Sequence, residues 1–400
     1  MPEEFTKLRI ILPPEGSLMR DLILTTLPIL TDSEGFRKLE YSKSLNEIFL
    51  FFINKYAIEE AFETLFDTTL RVIERKRKAG VRDRGLHRND AQWISKIVNY
   101  QEGYLAAAKA LIEFFRSNFD PTYLSIRSVR GYKEVYGCPN GETYALIQPL
   151  KIENYEYGSE WLKGIGGGIK SEIRLDLNYY ILLMSGYALS YAGIMDSEMI
   201  FLCPEESWII ENIIRGKYLW LPYEKILGKF STFLYESKDN KGIITRIACL
   251  RIPLEPKHAY LIYIASDLAS AFKERKVILK TLRLCFTRIA GGGRTFTLLE
   301  RSKADLASLI AKITRLYKYS EEAISCLKKI SKKALLFRRY NLSLYGDYCR
   351  FISHFYEYLH QAYDPFFLIY EAARGHVGTH ESCLKELLRA IIKVEHGVMT

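Results

Sequence analysis

Glutamine is almost missing from this chain, and two other features that would narrow its function are missing as well. Only four of 400 residues are glutamine, while Lys, Glu, Ile and Tyr are abundant. That balance is typical of thermophilic proteins. A charged fraction of 26% and an aromatic fraction of 13% exclude a disordered chain and indicate globular domains with real cores.

Closely spaced pairs of cysteines are the second absence. The seven cysteines are scattered, odd in number and form no C-x-x-C pair. This spacing argues against a disulfide framework and predicts a reducing, cytoplasmic setting. The first sixteen residues carry early acidic side chains and no long apolar core, which is not the pattern of a signal peptide.

Catalytic motifs are the third absence. The chain has no Walker motif, no H-E-x-x-H, no nucleophile elbow and no carboxylate pair with a nearby histidine. His380 and Cys383 form one tight pair, but a structural zinc site needs four ligands. We therefore predict no catalytic residue, no cofactor and no metal. An enzyme with dispersed active-site residues, such as an RNA-processing or nuclease-type enzyme, remains the alternative.

One uncharged run has to be weighed against a membrane span. Residues 177–195 are apolar enough and just long enough to cross a bilayer. The run contains four tyrosines, two glycines and an asparagine, and acidic residues flank it without a basic cluster. We expect a buried helix and no membrane contact, with a membrane-associated protein as the other interpretation.

Positive charge is concentrated near the end of the chain. Residues 275–400 hold 22 Lys and Arg against 11 Asp and Glu, whereas residues 1–274 have a net charge of −1. A near-neutral body with a basic region is typical of proteins that contact phosphate.

Periodicity predicts an α+β fold. We expect a mixed α/β N-terminal body with antiparallel hairpins, followed by a C-terminal antiparallel helical bundle. The predicted domains are a mainly helical region with a short first strand, an α+β domain with Gly-rich loops, and a basic helical bundle, over residues 1–120, 121–299 and 300–400.

Several elements follow from local patterns. The predicted strands are Lys7–Pro13, a hairpin of Tyr132–Cys138 with Glu142–Leu150, a hairpin of Phe230–Glu236 with Ile243–Ile252, and Tyr260–Ala265. The predicted helices are one from Ser17 to Pro28, Asn46–Lys78, Gln92–Phe119, and five over residues 303–319, 321–342, 347–362, 365–374 and 380–396. Ser302 and Asp305 resemble a capping box.

The helix predicted over residues 321–342 carries the clearest local signal. Its apolar stripe faces one way, and the opposite arc holds cations with no acidic residue between them: Lys328, Lys329, Lys332, Lys333, Arg338 and Arg339. Without acidic partners on the same helix, these side chains repel one another and favour an outside anion. The interpretations are contact with a phosphate backbone, contact with an acidic protein partner, and an ordinary face exposed to solvent.

A second basic cluster spans a predicted helix end and the loop after it. It includes Arg71, Arg75, Lys76, Arg77, Lys78, Arg82, Arg84 and Arg88. Cations stabilise a helix C-terminus, which explains part of the cluster. The rest predicts contact with nucleic acid, although acidic residues lie among the cations.

Two glycine-rich stretches carry basic residues at both ends. Lys163 and Lys170 flank one, and Arg288 and Arg294 flank the other. Neither stretch fits a P-loop or a dinucleotide-binding pattern. The two interpretations are flexible connections and anion-binding loops. Arg127, Arg130 and Lys133, beside Tyr132 and Tyr136, either form a stacking surface for bases or belong to an ordinary half-exposed strand.

The order of these parts resembles the large subunit of archaeal type I-A CRISPR interference (Cascade) complexes. The resemblance is architectural, and the features that carry it are the basic helix Lys328–Arg339, the cap at Ser302–Asp305 and the loops Gly164–Gly168 and Gly291–Arg294. It implies a DNA-binding subunit without an active site. Such a subunit recognises a short motif beside the target and helps hold the opened DNA. The implied partners are double-stranded target DNA, the subunits that carry the guide RNA and a helicase-nuclease.

Overall fold

In a computed structural model, the chain forms two units, the first α+β and the second mainly helical. Unit 1 comprises Met1–Tyr235 and Leu284–Ala304, and unit 2 comprises Glu236–Arg283 and Asp305–Thr400. The structure describes residues 5–13, 15–78, 81–99, 103–117, 119, 127–129, 132–134, 144–151, 174–195, 198–215, 258–259, 261–263, 265–266, 269, 283–292, 295–336, 342–360, 364–374, 377 and 381–396.

Unit 1 begins with a three-stranded antiparallel sheet in the order β1-β3-β2. Its strands are β1 (Thr6–Ile11), β2 (Phe36–Ser42) and β3 (Glu47–Phe52). Helix α1 (Leu18–Leu30) follows β1, and the Ser17 side chain caps it by accepting from the amide of Arg20. The cap at Ser17 is confirmed, and the helix continues through Pro28 for two more residues.

The single helix predicted over Asn46–Lys78 is wrong in its first part. Residues 47–52 form β3, whose burial alternates along most of the strand. Helix α2 (Lys55–Lys78) supplies the rest. The aromatic and β-branched composition of EIFLFF favours a strand, and pairing with β1 and β2 fixes it.

Two shorter helices replace the predicted helix Gln92–Phe119, namely α3 (Arg88–Ile94) and α4 (Tyr104–Arg116). The first predicted hairpin is also wrong. The four strands concerned are β4 (Arg127–Val129), β5 (Tyr132–Glu134), β6 (Tyr144–Ala145) and β7 (Arg174–Leu175). Strand β5 pairs with β4, and β6 pairs with β7. The second predicted hairpin and the loop Gly164–Gly168 lie outside the described residues.

The long uncharged run divides into a buried helix, α5 (Leu177–Ser190), and a strand, β8 (Tyr191–Met195). Every residue of α5 after Leu177 is buried. A Cβ at Gly186 would collide with the carbonyl oxygen of Leu22, so glycine lets α5 and α1 approach closely. The expected buried helix is confirmed, and no helix among the described residues is long and apolar enough to cross a bilayer.

A four-stranded sheet in the order β11-β10-β9-β8 completes unit 1. The remaining elements are β9 (Glu198–Pro204), α6 (Glu206–Ile214), β10 (Arg283–Gly292) and β11 (Thr295–Asp305). The glycine-rich stretch after Arg288 therefore starts inside a strand.

Unit 2 is helical where the structure describes it. Its helices are α7 (Leu306–Tyr319), α8 (Glu321–Leu336), α9 (Leu342–Leu359), α10 (Pro365–Arg374) and α11 (Leu384–His396). The predicted capping box is wrong, because Ser302 belongs to β11 and Asp305 is itself the N-cap of α7. The strand Tyr260–Ala265 is also wrong, since residues 261–263 are helical.

The α+β class and a C-terminal set of helices agree with the fold predicted from sequence. The division of the chain into units places residues 284–304 with the N-terminal part and residues 236–283 with the C-terminal helices.

Candidate nucleic-acid interface

Lys76, near the C-terminal end of α2, joins this helix to the end of α5. This side chain is 4% exposed, and its Nζ donates to the carbonyl oxygens of Ala188, Leu189 and Tyr191 at 2.6, 2.9 and 2.6 Å. Two of these carbonyls are in the last turn of α5, where helix geometry leaves them without intrahelical donors. Burial lowers the pKa of Lys76 to about 7. Lys76 was expected to contact nucleic acid, but the structure makes it an internal cap.

The loop after α2 is held at several points. The amide of Val81 donates to the carbonyl of Lys76 at 2.9 Å, and the Tyr191 hydroxyl donates to the carbonyl of Arg82 at 2.9 Å. Arg84 accepts at its carbonyl from the Tyr104 amide at 3.0 Å. These bonds fix the backbone that carries Arg82.

Arg84 is also turned inward. Its Nη2 donates to the carbonyl of Gly291 at 2.8 Å, and its guanidinium lies 5.4 Å from the ring centroid of Phe296. A Cβ at Gly291 would collide with this guanidinium. Arg84 and Gly291 therefore position the loop, and Arg84 does not face outward as a contact residue.

Two acidic residues in this segment bind groups within unit 1. Asp83 accepts from the amides of Leu105 and Ala106 at 2.8 and 3.2 Å, which caps α4. Buried Asp90 accepts from the Tyr104 hydroxyl at 2.8 Å and from the amide of Gln148 at 2.9 Å. Both carboxylates act within the fold.

Glu74, the third acid, lies 3.4 Å from the ammonium of Lys109 on α4. It is thus engaged with a cation outside the cluster.

Six exposed cations remain at this end of unit 1, and we call them the α2-end surface. Arg71, Arg75 and Lys78 lie at i, i+4 and i+7, which places them on one face of α2. The full set is Arg71, Arg75, Arg77, Lys78, Arg82 and Arg88. Arginine binds phosphate in a planar, two-pronged geometry, so a fixed group of this kind suits a phosphate backbone.

The lysine face of α8 has an internal acidic partner. Glu381 is fully buried, lies 2.8 Å from the Nζ of Lys329, pairs with Lys333 and accepts from the Tyr348 hydroxyl at 2.5 Å. Burial alone would raise the pKa of Glu381, but hydrogen bonds from Lys329, Lys333 and Tyr348 hold it below its usual value. The expectation that this face requires an outside anion therefore fails for two of its lysines.

Lys328 and Lys332 are half-buried on the same helix, whereas Arg338 and Arg339 lie outside the described residues. Cys326 on α8 forms a disulfide with Cys383, with their Cα atoms 5.5 Å apart. The cysteine spacing argued against a disulfide framework, and this bond runs against that expectation. It also removes Cys383 from the candidate zinc pair. Within the described part of the chain, no group of His, Cys, Asp and Glu side chains is arranged to hold a metal.

We predict that reversing Lys329 and Lys333 destabilises unit 2. Glutamate at both positions leaves the buried Glu381 carboxylate facing like charges, which is expected to lower the free energy of unfolding by about 3 kcal/mol. Chemical denaturation of the K329E/K333E variant measures the loss. The exposed Lys385, changed to Glu, is the matched control and should shift the value by less than about 0.5 kcal/mol. Equal stability of both variants would contradict the ion cluster.

Arg288 forms ion pairs within unit 1. It lies between Glu198 and Glu300, with its Nε 2.8 Å from the former and its Nη1 3.1 Å from the latter. These contacts join β9, β10 and β11 and remove Arg288 from the candidate DNA contacts. Arg294, Lys163 and Lys170 lie outside the described residues, as do the side chains of Arg127, Arg130 and Lys133.

A charged cluster around α1 was missed by the sequence reasoning. Arg20 is fully buried and holds Glu206 through two bonds of 2.8 and 2.7 Å, while Asp21 binds Arg301 through bonds of 2.7 to 3.0 Å. Burial raises the pKa of Asp21 to about 6, against the opposing effect of Arg301. The sequence signal for this cluster is the charged pair Arg20 and Asp21 inside the otherwise apolar helix LMRDLILTTLPIL.

Asp21, Glu206 and Arg301 of this cluster line a cavity of about 630 Å³. Lys303 and Glu205 add a further ion pair, at 2.6 Å, to its wall. Among the described residues, five carboxylates and three cations line its wall. The ion pairs of the cluster join α1, α6 and β11 within unit 1. Arg301 and Lys303 contribute to the basic last third of the sequence, and each pairs with a carboxylate of unit 1, although Lys303 itself stays exposed.

No protein-family model, curated protein or solved structure matches this chain.

Proposed function

We propose that this protein is a cytoplasmic, non-catalytic DNA-binding subunit of an RNA-guided CRISPR surveillance complex. In this role it recognises a short motif flanking the target, holds the opened DNA and helps recruit a helicase-nuclease. The α2-end surface is the observation that supports the proposal most strongly. It presents six exposed cations on one end of α2 and the loop after it.

The rigidity of this surface favours binding. Ordering flexible side chains and loops opposes association, so a loop already fixed by Lys76, Arg84 and Tyr191 loses less freedom when it meets DNA. Phosphate contacts set the affinity and register, and base-edge contacts add sequence preference. The resemblance to CRISPR large subunits supplies the biological setting.

A salt titration tests DNA binding by the isolated chain. With a fluorescently labelled 30-bp duplex, we expect the logarithm of the binding constant to fall linearly with the logarithm of salt concentration. A slope of about −4 to −5 corresponds to roughly five phosphate contacts. Salt-independent binding, or no binding at low salt, would contradict the proposal. Cleavage of RNA by the purified chain would instead favour the RNA-processing alternative.

A further inference from the structure

The three-stranded sheet of unit 1 has two unlike faces. Because side chains alternate along each strand, Leu8, Ile10, Ile48 and Leu50 are directed into the core, where all four are fully buried. The residues between them form the opposite face, which is accessible to solvent. That face carries an arrangement that neither the fold nor the α2-end surface explains.

Two phenylalanines lie on the middle strand of this accessible face. Phe49 and Phe51 are half-buried and separated by one core residue, so both rings are on the same side of β3. Phe5, two residues before Lys7, is 37% exposed, and Ile53, two residues after Phe51, is 41% exposed. The apolar surface therefore extends along the strand direction.

Cations from the flanking strands lie against these rings. The Nζ of Lys7 on β1 is 3.7 Å from the ring centroid of Phe49, and the Nζ of Lys38 on β2 is 4.4 Å from that of Phe51. In the sheet register, Lys7 and Lys38 are both cross-strand neighbours of Phe51. We call Lys7, Lys38, Phe49 and Phe51 the phenylalanine face.

The charges around this face are partly balanced. Arg9 pairs with Glu47, and Lys38 lies 2.7 Å from Glu40. Among the described residues, the strands of this face thus carry three cations and two carboxylates on the accessible side. Exposed cation–π contacts and surface ion pairs are weak, so both lysines are able to exchange these partners for phosphate.

We propose that the phenylalanine face binds single-stranded nucleic acid. Bases stack on Phe49 and Phe51, while Lys7 and Lys38 turn from the rings to the phosphates that accompany those bases. A purely apolar protein partner fits less well, because covering the rings would bury two ammonium groups at the centre of the contact. The inference rests on the proposed function, in which the opened target supplies a single strand.

Binding of a fluorescein-labelled 15-nucleotide oligothymidine tests this proposal. Stacking loses about 5- to 150-fold in affinity per base when the aromatic side chain is removed. We therefore expect Phe49→Ala with Phe51→Ala to weaken binding by at least about 25-fold. The matched control is Phe114→Ala, a 43% exposed phenylalanine on α4, which should leave the affinity unchanged.

A second variant distinguishes the loss of the aromatic rings from misfolding of the sheet. Phe49→Tyr with Phe51→Tyr keeps both rings and should retain binding within about threefold of wild type, since tyrosine also stacks on bases. An oligonucleotide carrying 5-bromodeoxyuridine should cross-link to the peptide containing residues 47–53 in the wild-type chain. Cross-links confined to other peptides, or an alanine variant with unchanged affinity, would overturn the proposal.

Duplex binding, measured on the same variants, distinguishes this proposal from the function proposed for the whole chain. Duplex binding by the α2-end surface should be the same in the alanine variant and wild type. Loss of oligothymidine binding with intact duplex binding supports the phenylalanine face. Intact, ring-dependent oligothymidine binding without any duplex binding would retain this inference and reject the proposed role in duplex recognition.

Discussion

Reversing the charge of Arg75, Arg77 and Arg82 is expected to weaken duplex DNA binding by on the order of 100-fold at low salt. All three side chains are exposed on the α2-end surface, and each change replaces a phosphate-binding guanidinium with a repelling carboxylate. The salt slope should become shallower by about 0.9 for each phosphate that the variant no longer neutralises, or by about 2.7 for three phosphates.

The matched control makes the same change in net charge elsewhere. Arg315, Lys318 and Lys385 are exposed cations of unit 2, and the triple glutamate variant at these positions should retain most of the affinity and the slope. If both triple variants lose affinity equally, the protein binds DNA through its overall charge. That result would contradict a specific role for the α2-end surface.

Replacing Lys76 with methionine is expected to destabilise unit 1 by about 3 kcal/mol or more. Methionine fills a similar volume but cannot donate to the three carbonyl oxygens that Lys76 now satisfies, two of them in the last turn of α5. The loss of a cation at a helix C-terminus adds to the effect. Denaturant unfolding of the variant measures the change.

Lys78 provides the control for this substitution. It lies two residues further along α2 and is exposed, so Lys78→Met should change the free energy of unfolding by less than about 0.5 kcal/mol. Equal and small effects at both positions would show that Lys76 does not cap α5.

Much of the secondary structure was predictable because it depends on local patterns. The helices of unit 2 follow from apolar periodicity, and Ser17 was recognised as a cap from its position before an apolar helix. The predictions are wrong where pairing with other strands determines the secondary structure. Residues 47–52 have the pattern of a helix start, yet hydrogen bonding on both sides by β1 and β2 makes them the middle strand of a sheet.

The candidate site was predictable only as a set of basic clusters. Sequence alone does not show which cations find partners inside the fold, because those partners are distant along the chain. Lys76 meets carbonyls more than 110 residues away, Arg288 meets a glutamate 90 residues away, and Lys333 meets Glu381 after 48 residues. Each of these contacts converts an apparent phosphate ligand into part of the fold.

Tertiary contacts also engage two acids of the other basic cluster. Asp83 and Asp90 seemed to dilute the charge of residues 71–88, but their carboxylates cap α4 and bind Tyr104 within unit 1. Burial raises the pKa of Asp83 to about 6, and this side chain still accepts two backbone amides. Lys76 and Arg84 are drawn inward as well, so the exposed charge of this segment comes from the six cations of the α2-end surface and from Glu74.

Native affinity purification from the source cells at low salt tests the central claim most directly, with mass spectrometry of the proteins and sequencing of the nucleic acids that accompany the chain. The account predicts recovery with several other subunits and a discrete set of repeat-flanked small RNAs. Purification of the chain alone, or with random nucleic acid, would contradict its role in an RNA-guided complex.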